Sequence, residues 1–377
     1  LISDDATIDA LVRAERRGVR VRLIHEEAPF GGGTGLVETA EGLVDAGIEV
    51  RTGPSEFRFI HAKYLVIDQR VAIVTNQNLT YSAYESNREV GVITTNPGDV
   101  ATLAAIFEAD WTETAPPVAA GRLIVSPQNA RSRMLELISN AEHAIDLYAE
   151  VIRDDEIIDA LSTAAQRGVR VRIIVNAPDD DLDTTVGDVL VSNGVDLRVT
   201  GRVYIHAKAM VLDETATVIG STNPTATSLD RNREVSLLVE DPISVARVSA
   251  VFERDWIDSA PWHGSATGGQ IEYWPIAGVA LDMHMVYGYG VRTVPRDCRR
   301  SPASSIRRPS CGATAPLDTA PAGGDDETVH VAGRWTGKHQ PDRTILPGLS
   351  SFRLPPPTNN SMSPLDITRS LAGTGDT

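Results

Sequence analysis

Hydrophobic and polar positions run through the same order twice along this chain. Apolar residues at helical spacing fill about 5–17 and again about 155–167, running into Gly18 and Gly168. A short apolar run follows each, 19–24 and 169–175, and reads as a buried strand. Next come a loop, a helix and a short strand, 48–51 or 195–199. A longer strand, 57–67 or 203–212, precedes strands at 71–75 or 217–220 and at 89–94 or 234–239. Each copy closes on an amphipathic helix ending in Phe-Glu-x-Asp-Trp, at 107–111 and 252–256. Strands alternating with helices predict an α/β fold with a largely covered sheet.

Direct comparison supports a duplication. Residues 1–24 match 151–174 at 15 of 24 positions without a gap, and 61–111 match 206–256 at 19 of 51. Only the second copy has a strand, a helix (about 129–141) and a strand (144–148) ahead of this shared part; Leu1 aligns with Val151, so the first copy reads as short of about thirty residues. Pro116-Pro117 marks a boundary. The expected division is a shortened first repeat over 1–116, a second over 117–262, and a tail over 263–377 rich in Pro, Gly, Ser, Thr and Arg, expected to be disordered. Its apolar stretch 273–291 has Asp282 and His284 near the centre, which argues against a membrane span.

The formal charge is −16, with −17 over residues 1–264. That disfavours a protein whose main task is clamping a long polyanion, but leaves room for a small basic cleft. The only cysteines are Cys298 and Cys311, so residues 1–297 hold no disulfide, CxxC pair or cysteine zinc site. Secreted and cytoplasmic locations both remain open. Against 32 Arg the chain has three Lys, and two of them, Lys63 and Lys208, stand in the same tripeptide, His-Ala-Lys. An ammonium kept where the chain otherwise uses guanidinium suggests a site that needs it.

Around that tripeptide the copies stay in step: His61, Lys63, Asp68, Asn76, Asn78, Asn87 and Glu89 against His206, Lys208, Asp213, Ser221, Asn223, Asn232 and Glu234. Side chains alternate on a strand, so His and Lys at i and i+2 share a face. Two imidazoles and two ammoniums brought together by a pseudo-two-fold relation suit phosphodiester chemistry. One His attacks phosphorus and the other protonates the leaving oxygen, later activating water. Lys63, Lys208 and the polar residues Asn76, Asn78, Ser221 and Asn223 are candidates to hold the phosphate oxygens. Glu89 and Glu234, each 28 residues beyond the His of its own copy, are expected to orient that His. Asp68 and Asp213, at odd spacing, read as structural.

Other features read as bland. His25 ends a strand without an imidazole counterpart, and Trp111 and Trp256 read as packing anchors. The Asp179-Asp180-Asp181 run with Asp183 lacks the EF-hand pattern and reads as a solvated loop, and Gly31–Gly33 as a flexible loop over the cleft rather than a P-loop.

The pattern H-x-K-x4-D, then G-S-x-N and a later Glu, resembles the phospholipase D superfamily of two-HKD phosphodiesterases. The second copy carries all of it: His206, Lys208, Asp213, Gly220-Ser221-Thr222-Asn223 and Glu234. The first has Thr75-Asn76-Gln77-Asn78 where G-S-x-N is expected. The resemblance covers about 1–262. It implies two homologous α/β/α repeats with mostly buried mixed sheets, pseudo-two-fold related, that build one active site at the repeat interface. It also implies a two-step mechanism through a phosphohistidine, without metal or cofactor, with His61 as nucleophile and His206 as acid and then base. A phospholipid, at a membrane surface or dispersed, is the expected substrate, by hydrolysis or transphosphatidylation. A superfamily nuclease acting on DNA, a cardiolipin synthase-like phosphatidyltransferase and a catalytically dead binding module are the alternatives.

Overall fold

The first repeat runs α1 (Asp5–Arg16), β1 (Arg22–His25), α2 (Leu36–Asp45), β2 (Glu49–Thr52), β3 (Tyr64–Ile67), β4 (Val71–Thr75), α3 (Tyr81–Glu85), β5 (Asn87–Arg88), β6 (Gly91–Thr94) and α4 (Pro97–Thr112). The second runs β7 (Leu123–Ser126), α5 (Ala130–Asn140), β8 (Ala144–Ala149), α6 (Asp155–Gln166), β9 (Arg170–Val175), α7 (Thr184–Ser192), β10 (Asp196–Val199), β11 (Tyr204–Ile205), β12 (Lys208–Leu212), β13 (Ala216–Gly220), α8 (Ala226–Asp230), β14 (Glu234–Val239), α9 (Pro242–Asp258) and β15 (Ala260–Pro261). This computed structural model describes residues 1–264, apart from 30–34, 118, 120, 178–183 and 202, and a strand Val329–Val331 (β16) on the edge of β6. The rest of the tail, with the 273–291 stretch and both cysteines, lies outside the described residues, as do Gly31–Gly33 and the Asp179–Asp181 run.

Local chemistry repeats with the fold. Asp4 and Asp154 cap α1 and α6 by accepting the backbone N–H of Thr7 and Ile157, and Thr80 and Thr225 cap α3 and α8 in the same way. Gly18 and Gly168 follow the matching helices α1 and α6 at φ 87° and 94°, where a Cβ is disfavoured.

The second repeat forms one eight-stranded mixed sheet in the order β15-β10-β9-β8-β12-β13-β14-β7. In it β8 lies between β9, which it meets in parallel, and β12, which it meets antiparallel. The first repeat has no counterpart of β8 among the described residues. Its matching strands therefore remain as two sheets, the parallel pair β1-β2 and the antiparallel β6-β4-β3. One face of the large sheet packs α5, α6 and α7 over a core that includes Ile145, Ile173 and Leu161. The other face carries the shared core. There Val74, Val92, Leu103 and Ile106 of the first repeat pack with Ile219, Val235, Leu237 and Phe252 of the second. Trp111 and Trp256 are packing residues, stacked on Phe107 and Phe252, with Arg22 and Arg51 over one ring and Arg172 and Arg198 over the other.

The departure of the first copy from G-S-x-N is explained by one rung of the sheet. Thr75 pairs with Gly91, and Gly220 pairs with Ser236. The larger residue has changed strands. A Cβ on Gly91 would stand 2.8 Å from Thr75 Oγ1, and one on Gly220 would stand 2.3 Å from the Val235 carbonyl oxygen. Gly220→Ala should therefore cost roughly 3 kcal/mol or more, since the obstacle is backbone. Urea unfolding is the check, and an unchanged midpoint would show that the rung yields.

Candidate active site

The His-Ala-Lys tripeptides sit where the chain passes from one repeat to the other. The single long strand expected at 203–212 is broken at His206–Ala207. Before the break, β11 pairs in parallel with β5 of the first repeat; after it, β12 pairs with β8 and β13 of its own sheet. In the first copy the strand expected at 57–67 is confined to Tyr64–Ile67; ahead of it Ile60 is bridged to Arg233, and the His61 and Ala62 N–H groups donate to the Arg233 carbonyl at 3.0 and 2.8 Å.

This exchange corrects the expected pairing of Glu with His. Glu89 meets Nδ1 of His206 at 2.8 Å, and Glu234 meets Nδ1 of His61 at 2.9 and 3.0 Å. Each carboxylate serves the imidazole of the other repeat, because β5 and β14 begin beside the partner's His strand. The flanking arginines cross too. Arg88 forms a bidentate pair with Asp255 at 2.6 and 2.8 Å, and Arg233 one with Asp110 at 2.8 and 2.9 Å. With both Nδ1 atoms engaged, both Nε2 atoms are the ones open to chemistry.

The lysines turn toward the same place, Lys63 Nζ donating to the His61 carbonyl at 2.6 Å and Lys208 Nζ to that of His206 at 2.7 Å. The charges of Lys63 and Lys208 act on both imidazoles. Asn223 Nδ2 donates to Glu150, and Asn78 Oδ1 accepts from the amino group of Leu1. Asn76 and Ser221 lie fully buried, one layer below. Asn76 Oδ1 accepts the Val90 N–H at 2.9 Å, and Ser221 exchanges hydrogen bonds with the Val235 backbone. Asp213 accepts the N–H groups of Glu142, His143 and Ala144 from φ 51°, pinning the loop before β8; Asp68 shares the positive φ, at 52°. His25 is the last residue of β1.

Two residues of the site carry no marker in the repeat pattern. Glu150 directly follows β8, in ion-pair contact with Lys208 and with Oε1 3.6 Å from His206 Nε2. Its position just past a strand end was the available signal. Ser228 donates to Glu234 at 2.7 Å, beside Asn232 at 2.9 Å. Its counterpart in the first repeat is Ala83, and among the described residues Glu89 has Asn87, at 3.2 Å, besides its His.

The pseudo-symmetric site is electrically unequal. Burial pushes the Glu89 carboxyl up to about 8 against the pull of Lys208. Burial pushes Glu234 the same way, but His61, Lys63 and Asn232 hold it below its ordinary value. Burial lowers both imidazoles, His206 much the further, with Lys208 and Lys63 adding to the effect. Near neutral pH the Glu89–His206 pair thus holds one proton more than the Glu234–His61 pair. Lys63 is brought down to about 7 by burial.

The family described as "Cardiolipin synthase, PLD-like domain" matches residues 1–111 and 134–256. Among curated proteins, the chain is 23% identical over 296 residues to "Probable cardiolipin synthase YwiE" of Bacillus subtilis (strain 168), covering 67% of this chain and 58% of that one. It is 26% identical over 167 residues to "Mitochondrial cardiolipin hydrolase" of Canis lupus familiaris, covering 44% of this chain and 66% of that one. Among solved structures, polyphosphate kinase from Porphyromonas gingivalis shares the fold at TM-score 0.56 and 18% identity, covering 70% of this chain and 43% of that one. The chain thus spans somewhat over half the length of the Bacillus relative it matches. With two crossed His–Glu pairs in a duplicated α/β frame and a family match across both copies, the chain belongs to the phospholipase D superfamily.

Proposed function

We propose that the protein transfers a phosphatidyl group from one phospholipid to the hydroxyl of an acceptor, as a cardiolipin synthase does. The observation that carries the reading is the pair of crossed His–Glu contacts with Lys63 and Lys208 beside them. Nε2 of His61, unprotonated while Nδ1–H is held by ionised Glu234, attacks phosphorus. The bond to the leaving glycerol oxygen breaks, and that oxygen takes the Nε2 proton of His206, while Glu89 passes its own proton to Nδ1. An acceptor hydroxyl then gives its proton to His206 and attacks the phosphohistidine, which restores His61. Lys63, Lys208, Asn78 and Asn223 are assigned to the phosphoryl oxygens. The motif leaves hydrolysis and transphosphatidylation together, with cardiolipin synthase-like transfer as an alternative; the names of the relatives favour that alternative. Hydrolysis is the second reading, favoured by the cardiolipin hydrolase likeness; it differs only in water taking the acceptor's place.

The test is incubation of phosphatidylglycerol vesicles with the protein and with His206→Ala. Cardiolipin and free glycerol in equal amounts support transfer; phosphatidic acid alone selects hydrolysis. Cleavage of DNA with no lipid product would overturn both.

Turnover should also fall as pH rises through about 7 to 8. Lys63 loses its charge near 7 and the Glu89–His206 pair its extra proton near 8, and both forms are needed. Lys63→Arg, which stays charged, should remove the lower step from the alkaline limb of kcat/KM even though the absolute rate drops. A flat profile from pH 6 to 9 would contradict the proton inventory.

A further inference from the structure

We propose that Glu150 sets the charge selectivity of the phosphate subsite, admitting a monoanionic phosphodiester and refusing a dianionic phosphomonoester. The inference rests on the phosphodiester reading of the site and adds a determinant to it.

Glu150 stands where the reacting phosphoryl group must come. Its Oε2 is against the Lys208 ammonium and accepts from Asn223 Nδ2 at 3.2 Å. Its Oε1 accepts from the Tyr204 hydroxyl at 3.3 Å and lies 3.6 Å from His206 Nε2, the imidazole nitrogen that Glu89 leaves open. The Glu150 and Lys208 side chains are 14% and 2% exposed, so bulk water and salt screen their charges little. The carboxylate stays ionised: burial pushes it up, and Lys208 outweighs that. At pH 8 the cluster sets Lys208 against Glu150 and Glu234, since Lys63 has lost most of its charge. A ligand with one negative charge meets the Lys208 ammonium, and a second charge on the ligand meets carboxylates with no matching cation. A phospholipid diester carries one charge. Inorganic phosphate and phosphatidic acid, the monoester made when water replaces the acceptor, carry about two. Glu150 would thus hold off the hydrolytic by-product while the substrate binds.

Coulomb energy scales with ligand charge, so removing the carboxylate should favour a dianion by the square of its effect on a monoanion. The probes are inorganic phosphate and dimethyl phosphate at pH 8, titrated by calorimetry into wild type and the near-isosteric Glu150→Gln. The expected result is a Kd about tenfold lower for phosphate and about threefold lower for dimethyl phosphate in the variant. Wild type should bind dimethyl phosphate at least as tightly as phosphate, a comparison that needs no variant to fold. Equal shifts for the two probes, no shift, or a wild type preferring phosphate tenfold would overturn the proposal. Lipid turnover is measured separately. Its absence alongside the expected Kd pattern would sink the phosphatidyl reading and leave the role of Glu150 standing.

Discussion

In His206→Ala, a substrate with a 4-nitrophenolate leaving group should give a burst of one equivalent of nitrophenolate followed by steady turnover about 10³-fold slower than wild type. A good leaving group needs no proton from His206, so attack by His61 still proceeds. The second step lacks its base and stalls, within the ~10²–10⁴-fold that general acid–base groups supply. With substrate labelled at phosphorus, protein denatured at alkaline pH, where a phosphohistidine survives, should carry the label on His61. His61→Ala should show neither burst nor label, because it removes the nucleophile itself. The asymmetry traces to burial raising Glu89, with the Glu150 charge adding to it, while His61, Lys63 and Asn232 hold Glu234 ionised. Label on His206 in the His61→Ala protein would reverse the assignment.

Arg233→Ala should destabilise the fold by roughly 3–5 kcal/mol and abolish turnover. The guanidinium is 1% exposed, lies over the Phe57 ring and forms the bidentate pair with Asp110, which is itself 6% exposed. Truncation strands the Asp110 carboxylate across the repeat interface. It also loosens the segment whose carbonyl holds the His61 and Ala62 N–H groups. Replacing both partners, Arg233→Met with Asp110→Leu, should recover most of the stability, because no orphan charge is left. Urea midpoints for the single and double variants decide the matter; equal losses in both would mean that packing, rather than charge, holds the interface.

Both effects rest on residues whose types and spacing were legible in the chain and whose partners were not. The duplicated elements follow from local rules: apolar periodicity, Asp and Thr caps, and glycines at positive φ. The paired His-Ala-Lys tripeptides, Glu89 and Glu234 stand out because the two copies can be laid on each other. Ser228 and Glu150 do not, since one has only an alanine as counterpart and the other aligns with nothing.

The sequence by itself determined the repeat, the strand and helix order, and the set of groups available for phosphoryl chemistry. Tertiary structure alone decided that each glutamate serves the histidine 117 or 173 residues away rather than the one 28 residues before it. It likewise broke the second strand at His206, confined the first to the residues after Lys63, and set a carboxylate against Lys208. The physical reason is that local propensity reports only what a segment prefers. The segments holding these residues leave their own sheet to satisfy their backbone groups on the other repeat, and the crossing exists only once the shared apolar core has brought the two sheets together.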